Sequence, residues 1–138
     1  MSSRFDGFIS EDEFETMANE LAESFPKEFF KELNGGILVL ERSKMHRDSW
    51  PGNELYILGE YCHGGELGRY INLYYGSFRR VYPGLSRDAL REELRKTIAH
   101  EFRHHMESLA MCRDLEVEDE EKLEAYNSRF YTARRKRE

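Results

Sequence analysis

Cysteine is scarce in this sequence of 138 residues: Cys62 and Cys112 stand far apart and make no disulfide framework. Long hydrophobic runs are missing too. No apolar stretch approaches the roughly 20 residues that span a bilayer, which argues against a membrane-spanning helix. The opening MSSRFDGFISEDEFE lacks the apolar core of a signal peptide, so the expected compartment is the cytoplasm. Positive charge is in deficit, with 21 Lys and Arg against 27 Asp and Glu, a net charge of -6 and a pI near 5.5. That balance argues against a general nucleic-acid-binding surface. Repeats, linkers and low-complexity segments are absent. What is present is a chain 35% charged, 39% hydrophobic and 13% aromatic, the composition of a soluble globular protein. Its length predicts one domain, residues 1–138, around a single modest core.

The hydrophobic pattern predicts an α+β fold. Residues 9–25 read as a first helix: Ser10 and Glu13 form a capping box, Ile9 and Phe14 a staple, and Phe14, Met17, Leu21 and Phe25 recur at helical spacing. Pro26 interrupts it, and KEFFKEL adds a short turn before Asn34-Gly35-Gly36. Three strands are predicted: Gly36–Glu41, Leu55–Tyr61 and Arg69–Phe78, the last two joined by the Gly-rich hairpin Cys62–Gly68. They make a small, mostly antiparallel sheet packed against helices. The loop between the first two strands places His46 and Trp50 at the surface, and His63 is expected to be exposed. A long helix begins after the N-cap Ser86, with Leu85 and Leu90 as its staple. After the acidic run Glu118–Glu121, Leu123, Tyr126, Asn127 and Phe130 predict the face of a separate last helix. The basic ending ARRKRE reads as a solvated helix end.

The chemistry-bearing stretch is TIAHEFRHH, Thr97 to His105. It contains His100-Glu101-x-x-His104, the HExxH pattern. Positions i and i+4 of an α-helix share a face, so two imidazoles can grip one metal ion. The adjoining Glu101 can take a proton from metal-bound water. On the same helix Leu94, Ile98, Phe102, His105 and Leu109 form the core stripe, with His100 and His104 roughly 80 to 120° away. His105 therefore reads as a hydrogen-bonded core histidine and not as a ligand.

A catalytic zinc site usually takes three protein ligands and keeps one position open. The glycine-turn pattern HExxHxxGxxH is excluded, because Glu107 and Ala110 stand where its glycine and third histidine belong. The third ligand is then expected among downstream carboxylates: Asp119 first, as the residue opening the last helix, with Glu120, Glu118, Asp114 and Glu107 as alternatives. Glu107 fits better as a partner that orients a histidine, since its Cα lies about 10 Å along the axis from that of His100. Cys62 is a weaker alternative. In peptide deformylases a cysteine completes an HExxH site, but there it stands in Gly-Cys-Leu, whereas here the context is EYCHGG. Candidate donors to a developing oxyanion are Tyr74, Tyr75, Arg79 and Arg80. A free edge on the third strand would let an extended peptide lie across the metal.

From Leu33 onward the chain resembles the small bacterial zincin-like metallopeptidases, relatives of the minimal gluzincins. The resemblance rests on Asn34-Gly35-Gly36, LYILGEY, GRYINLYYGSFRRVY and, above all, LREELRKTIAHEFRHHMESLAMCRDLEVED with its doubled His104-His105. It implies that His100 and His104 bind zinc, that Glu101 is the general base, and that the fold is a minimal zincin with a backing helix. The better-known branch carries an aspartate six residues after the second motif histidine. Here that position is Ala110, and matching the flanking segments favours Asp119, or Glu120 by one register.

The expected function is a zinc-dependent metallopeptidase acting on a peptide or protein substrate, with Zn2+ as cofactor and no nucleic-acid or membrane partner. A metal-stabilised, non-catalytic binding module and a zinc-dependent hydrolase of a non-peptide amide are the alternatives.

Overall fold

The computed structural model describes residues 7–137, the side chains of residues 116–120 and 122–137 excepted. The chain is α+β. Its elements in order are helix α1 (Glu11–Glu23), a 3-10 turn (Lys27–Phe30), strands β1 (Gly36–Leu40), β2 (Gly59–Gly64) and β3 (Gly68–Tyr74), and helices α2 (Tyr75–Val81) and α3 (Arg87–Arg137). It divides into two compact units, Met1–His105 and Met106–Glu138. The sheet, the core and the HExxH residues all belong to the first.

Local chemistry starts both long helices where the sequence places them. The Ser10 hydroxyl accepts from the Glu13 N–H at 3.2 Å, and the Ser86 hydroxyl accepts from the Ala89 N–H at 3.2 Å. Phe14, Met17, Ala18 and Leu21 of α1 are buried with Leu90, Leu94, Ile98 and Phe102 of α3 and with Ile71 and Leu73 of β3. Phe102 anchors the HExxH turn. Its ring meets those of Phe25, Phe29 and Phe30 at 5.1, 5.5 and 5.0 Å between centroids.

The sheet order is β1-β3-β2, with β1 parallel and β2 antiparallel to β3. It is therefore mixed, where a mostly antiparallel sheet was expected. The hairpin joins β2 to β3 through Gly65, whose φ of +64° suits a residue without Cβ. The chain from β1 to β3 must instead cross over, which leaves that pair parallel. Ile71 and Leu73 point into the core, so Tyr70, Asn72 and Tyr74 occupy the other face.

Two predicted strands shift. Leu55–Leu58 belongs not to β2 but to the return limb of an arm, where Leu55 O accepts from His46 N at 2.6 Å and Ile57 N donates to Lys44 O at 2.8 Å. His46 and Trp50 on this arm are exposed, as is His63 at the end of β2. Tyr75–Phe78, expected to extend β3, is helical instead. At Gly76 the α2 backbone presses against the segment after β1: a Cβ there would lie 2.5 Å from Ser43 N. The Ser77 hydroxyl accepts from Lys44 N at 2.9 Å. Tertiary packing overrides the β propensity of the aromatic residues here. The expected break before Asp119 is also absent, since the backbone is helical from Arg87 to Arg137. That stretch contains neither glycine nor proline, and its acidic run tolerates helix interior.

Among the described residues no helix is long and apolar enough to cross a membrane.

Candidate functional site

The 3.6-residue period brings His100 and His104 onto one exposed face of α3. Their rings stand at 90° to each other with centroids 4.5 Å apart, and the two Nε2 atoms converge to 3.0 Å. Two nitrogens sharing a tetrahedral zinc at about 2.0–2.1 Å would stand about 3.3 Å apart. The pair thus fits the bite of one zinc ion with a few tenths of an ångström of adjustment, and neutral imidazole is the donor such an ion takes.

Glu101 sits between these histidines in sequence but is turned inward, only 5% exposed. Burial pushes its carboxyl above the usual carboxylate range, and the two imidazoles and a hydrogen bond from the Tyr61 N–H oppose that rise. A cleft of about 340 Å³ opens onto His100 and Glu101, walled by Tyr56, Ile57, Leu58 and Gly59 on one side and Lys96 and Thr97 on the other. The first wall is the arm's return limb running into β2.

Gly59 is what allows that wall to approach. A Cβ at this position would lie 2.7 Å from Thr97 Cγ2 and 3.3 Å from Glu101 Cγ. Tyr61 is the next residue on the same face of β2. Its hydroxyl lies 2.8 Å from His105 Nδ1, and His105 Nε2 lies 2.7 Å from Lys31 O. The proton count assigns the tautomer. Lys31 O only accepts, so Nε2 carries the hydrogen and Nδ1 accepts from the phenol, which in turn accepts from Arg69 Nη1 at 3.0 Å. His105 is fully buried and bonded at both nitrogens, a core residue as the helical wheel implies.

Other candidates fall elsewhere. Tyr74 donates to Glu60 Oε1 at 2.8 Å, on the sheet face away from α3, and Tyr75 donates to Ile9 O at 2.6 Å. Arg79 and Arg80 line a separate, larger cleft of about 500 Å³ with Phe8, Glu41 and Pro83. None of the four proposed oxyanion donors lines the cleft at His100; of the side chains that do, Tyr56, Lys96 and Thr97 carry donors, the last already given to Glu93 O. The larger cleft holds no part of the HExxH motif, so size does not select the site.

Cys62 shares its face with Glu60 and receives a 3.8 Å contact from Asn72 Nδ2, which places it opposite Tyr61 and removes it as a ligand beside His100. β3 has a neighbour on both sides, so among the described residues the sheet's edges are β1 and β2, and of these β2 borders the cleft. Glu107 and Asp114 are exposed, and the side chains of Glu118, Asp119 and Glu120 lie outside the described residues. Among the described residues no group of three or more His, Cys, Asp or Glu side chains comes together. Gly59, Tyr61, Tyr56 and Lys96 were not legible as site residues; the sole signal was a glycine inside an apolar strand pattern, which marks close backbone approach.

No family model and no curated protein matches the sequence. Among solved structures, the chain is similar to a conserved hypothetical protein from T. thermophilus, with a TM-score of 0.62 and 32% sequence identity. The match covers 73% of this chain and 97% of that one. With a shared fold and that identity over nearly the whole of its relative, the chain belongs to the family of the T. thermophilus protein.

Proposed function

We propose that this protein is a zinc-dependent metallopeptidase. The observation that carries the reading is the convergence of His100 Nε2 and His104 Nε2 to 3.0 Å beside the buried Glu101, at a cleft. The resemblance of LREELRKTIAHEFRHHMESLAMCRDLEVED to the zincin-like metallopeptidases supports it from the sequence side.

In this reading His100 and His104 hold the zinc and a carboxylate completes the set: Glu107 comes first, because Asp114, Glu118, Asp119 and Glu120 stand ten or more residues beyond His104 along the one unbroken helix. Zinc, when bound, supplies the Lewis acidity that acidifies water and polarises a carbonyl. Glu101 does the proton transfer. Its burial raises its proton affinity towards the working pH, which suits a group that must both accept and return a proton. Substrate is an extended peptide adding to the outer edge of β2, the strand that forms one wall of the cleft. Tyr56 and Lys96 offer side-chain donors within that cleft, while the Thr97 hydroxyl already donates to Glu93 O. With two free cysteines and an acidic balance, we assign the protein to the cytoplasm and to protein substrates, not to nucleic acid or a membrane.

Metal analysis and peptide hydrolysis, run on the same preparations, test the proposal. About one zinc per chain is expected, lost in His104→Ala, weakened in Glu107→Ala, and kept in Glu101→Gln while hydrolysis disappears. Zinc retained in Glu107→Ala moves the third ligand to one of the other carboxylates, Asp114, Glu118, Asp119 or Glu120. A wild-type protein that takes up no zinc after reconstitution overturns the reading.

A further inference from the structure

Large apolar side chains gather on the arm that leads from β1 to β2. Met45 is 52%, Trp50 60% and Leu55 44% exposed. The arm's ladder sorts two of them onto opposite faces. His46 N donates to Leu55 O at 2.6 Å and Ile57 N donates to Lys44 O at 2.8 Å, so Met45 and Tyr56 are directly opposed between these two bonds. Such a non-hydrogen-bonded pair brings its two side chains closest, on one face of the ladder. Successive side chains alternate, which puts His46 and Leu55 on the other face. Tyr56 is also part of the wall of the cleft that opens onto His100 and Glu101. The Met45 side chain therefore prolongs the cleft's apolar wall through Tyr56.

We propose that Met45 and Tyr56 form a substrate subsite that takes a large apolar side chain of the peptide. The inference rests on the metallopeptidase reading and names the class of peptide its site selects. An extended peptide on the edge of β2 runs on past the arm, and its alternate side chains face one way about 7 Å apart. The cleft, at about 340 Å³, is at the small end for a ligand site, so recognition extends to the surface that borders it. A second copy of the chain does not account for this face. One methionine and one half-buried tyrosine fall far short of the roughly 800 Å² per partner of a stable interface. Nor does a membrane surface, which attracts net positive charge: on this arm Arg47 is outnumbered by Asp48 and Glu54, and Lys44 Nζ is held by Glu60 at 2.8 Å. Methionine is unbranched and adapts its shape, so the subsite selects for apolar bulk, as in Leu, Met or Phe, and not for one outline.

Peptide binding to the metal-free protein tests this without cleavage. The probe is a fluorescein-labelled, blocked Gly/Ser peptide with Leu at alternate positions, compared by anisotropy with the same peptide carrying Asn in place of Leu. The wild type should bind the Leu peptide about tenfold more tightly or better. Met45→Ser should abolish that preference and Met45→Leu should keep it. Leu55→Ser, on the other face of the arm, should leave it unchanged. Both positions are exposed, so these substitutions leave the core intact. No binding of the Leu peptide, or equal affinity for the two peptides, overturns the proposal. So does an equal loss in Met45→Ser and Leu55→Ser, which makes the arm adhesive on both faces and no subsite. With the zinc-loaded enzyme, Met45→Ser should raise KM for the Leu peptide about tenfold at constant kcat and zinc content, as loss of binding shared by ground and transition states does. An unchanged KM overturns it. Hydrolysis with no preference for Leu overturns the subsite and leaves the metallopeptidase reading standing. Preferred binding of the Leu peptide with no hydrolysis refutes the metallopeptidase reading instead, and leaves Met45 and Tyr56 as a peptide site.

Discussion

Gly59→Ala is the most discriminating single substitution outside the motif. The strand at Gly59 needs no special backbone angle; what it needs is space. The added methyl would stand 2.7 Å from Thr97 Cγ2, 3.3 Å from Glu101 Cγ and 3.4 Å from Leu73 Cδ2. Carbon atoms pack best at about 3.5–4.0 Å, so the first contact is short by roughly an ångström while the other two need a few tenths. Strand β2 must retreat from α3 or Thr97 must leave its rotamer, and overpacking of this kind costs about 1–3 kcal/mol. Thr97→Ser removes the offending methyl and keeps the hydroxyl that now donates to Glu93 O at 2.9 Å. The double variant should therefore recover most of the loss. Urea unfolding of the wild type, both single variants and the double variant, compared at constant m, gives the coupling. A favourable coupling of about 1 kcal/mol or more is expected. Strict additivity would show that the Gly59–Thr97 contact does not set the approach of strand to helix, and the account of the cleft wall would fall with it.

Four further outcomes follow from the same geometry. His105→Ala should destabilise the protein by roughly 2–4 kcal/mol, because it leaves the Tyr61 phenol and Lys31 O without their buried partner, yet it should leave zinc content unchanged; thermal unfolding and metal analysis check both. Cys62→Ala should alter neither zinc content nor hydrolysis, since its side chain is on the opposite face of β2 from Tyr61. Two carboxylates should respond to pH with opposite signs. Burial holds the folded-state pKa of Glu101 above the ordinary 4.5, so its stability contribution is full below that value and is lost as pH rises through the folded pKa. Metal-free Glu101→Gln should thus gain on the wild type as pH increases. At Glu60 burial pushes upward, but bonds from Lys44 Nζ at 2.8 Å and the Tyr74 hydroxyl at 2.8 Å outweigh it and the pKa falls. Its contribution is present above pH 4.5 and is lost as pH drops through the folded pKa, so Glu60→Gln should cost stability near neutrality and little in acid. Urea unfolding across pH 3–8 separates the two, and parallel curves would refute the assignment.

By itself the sequence determined what depends on local rules. Ser10 and Ser86 cap the helices predicted from them, because capping is settled between residues three positions apart. His100 and His104 converge because a helix fixes the i, i+4 spacing whatever surrounds it. His105 was legible as core from the same wheel. Tertiary structure alone decided the rest. Whether Leu55–Leu58 pairs in the sheet depends on Lys44 and His46 across the arm, and whether Tyr75–Phe78 stays extended depends on the backbone of Glu41–Ser43 pressing on Gly76. The parallel pairing of β1 with β3 depends on a crossover that no strand's own residues encode. The wall of the cleft, with Gly59 against Thr97 and Glu101 and Tyr61 against His105, joins residues about forty positions apart. Spacing rules act over one or two turns; contacts of that range are fixed only when strand and helix dock.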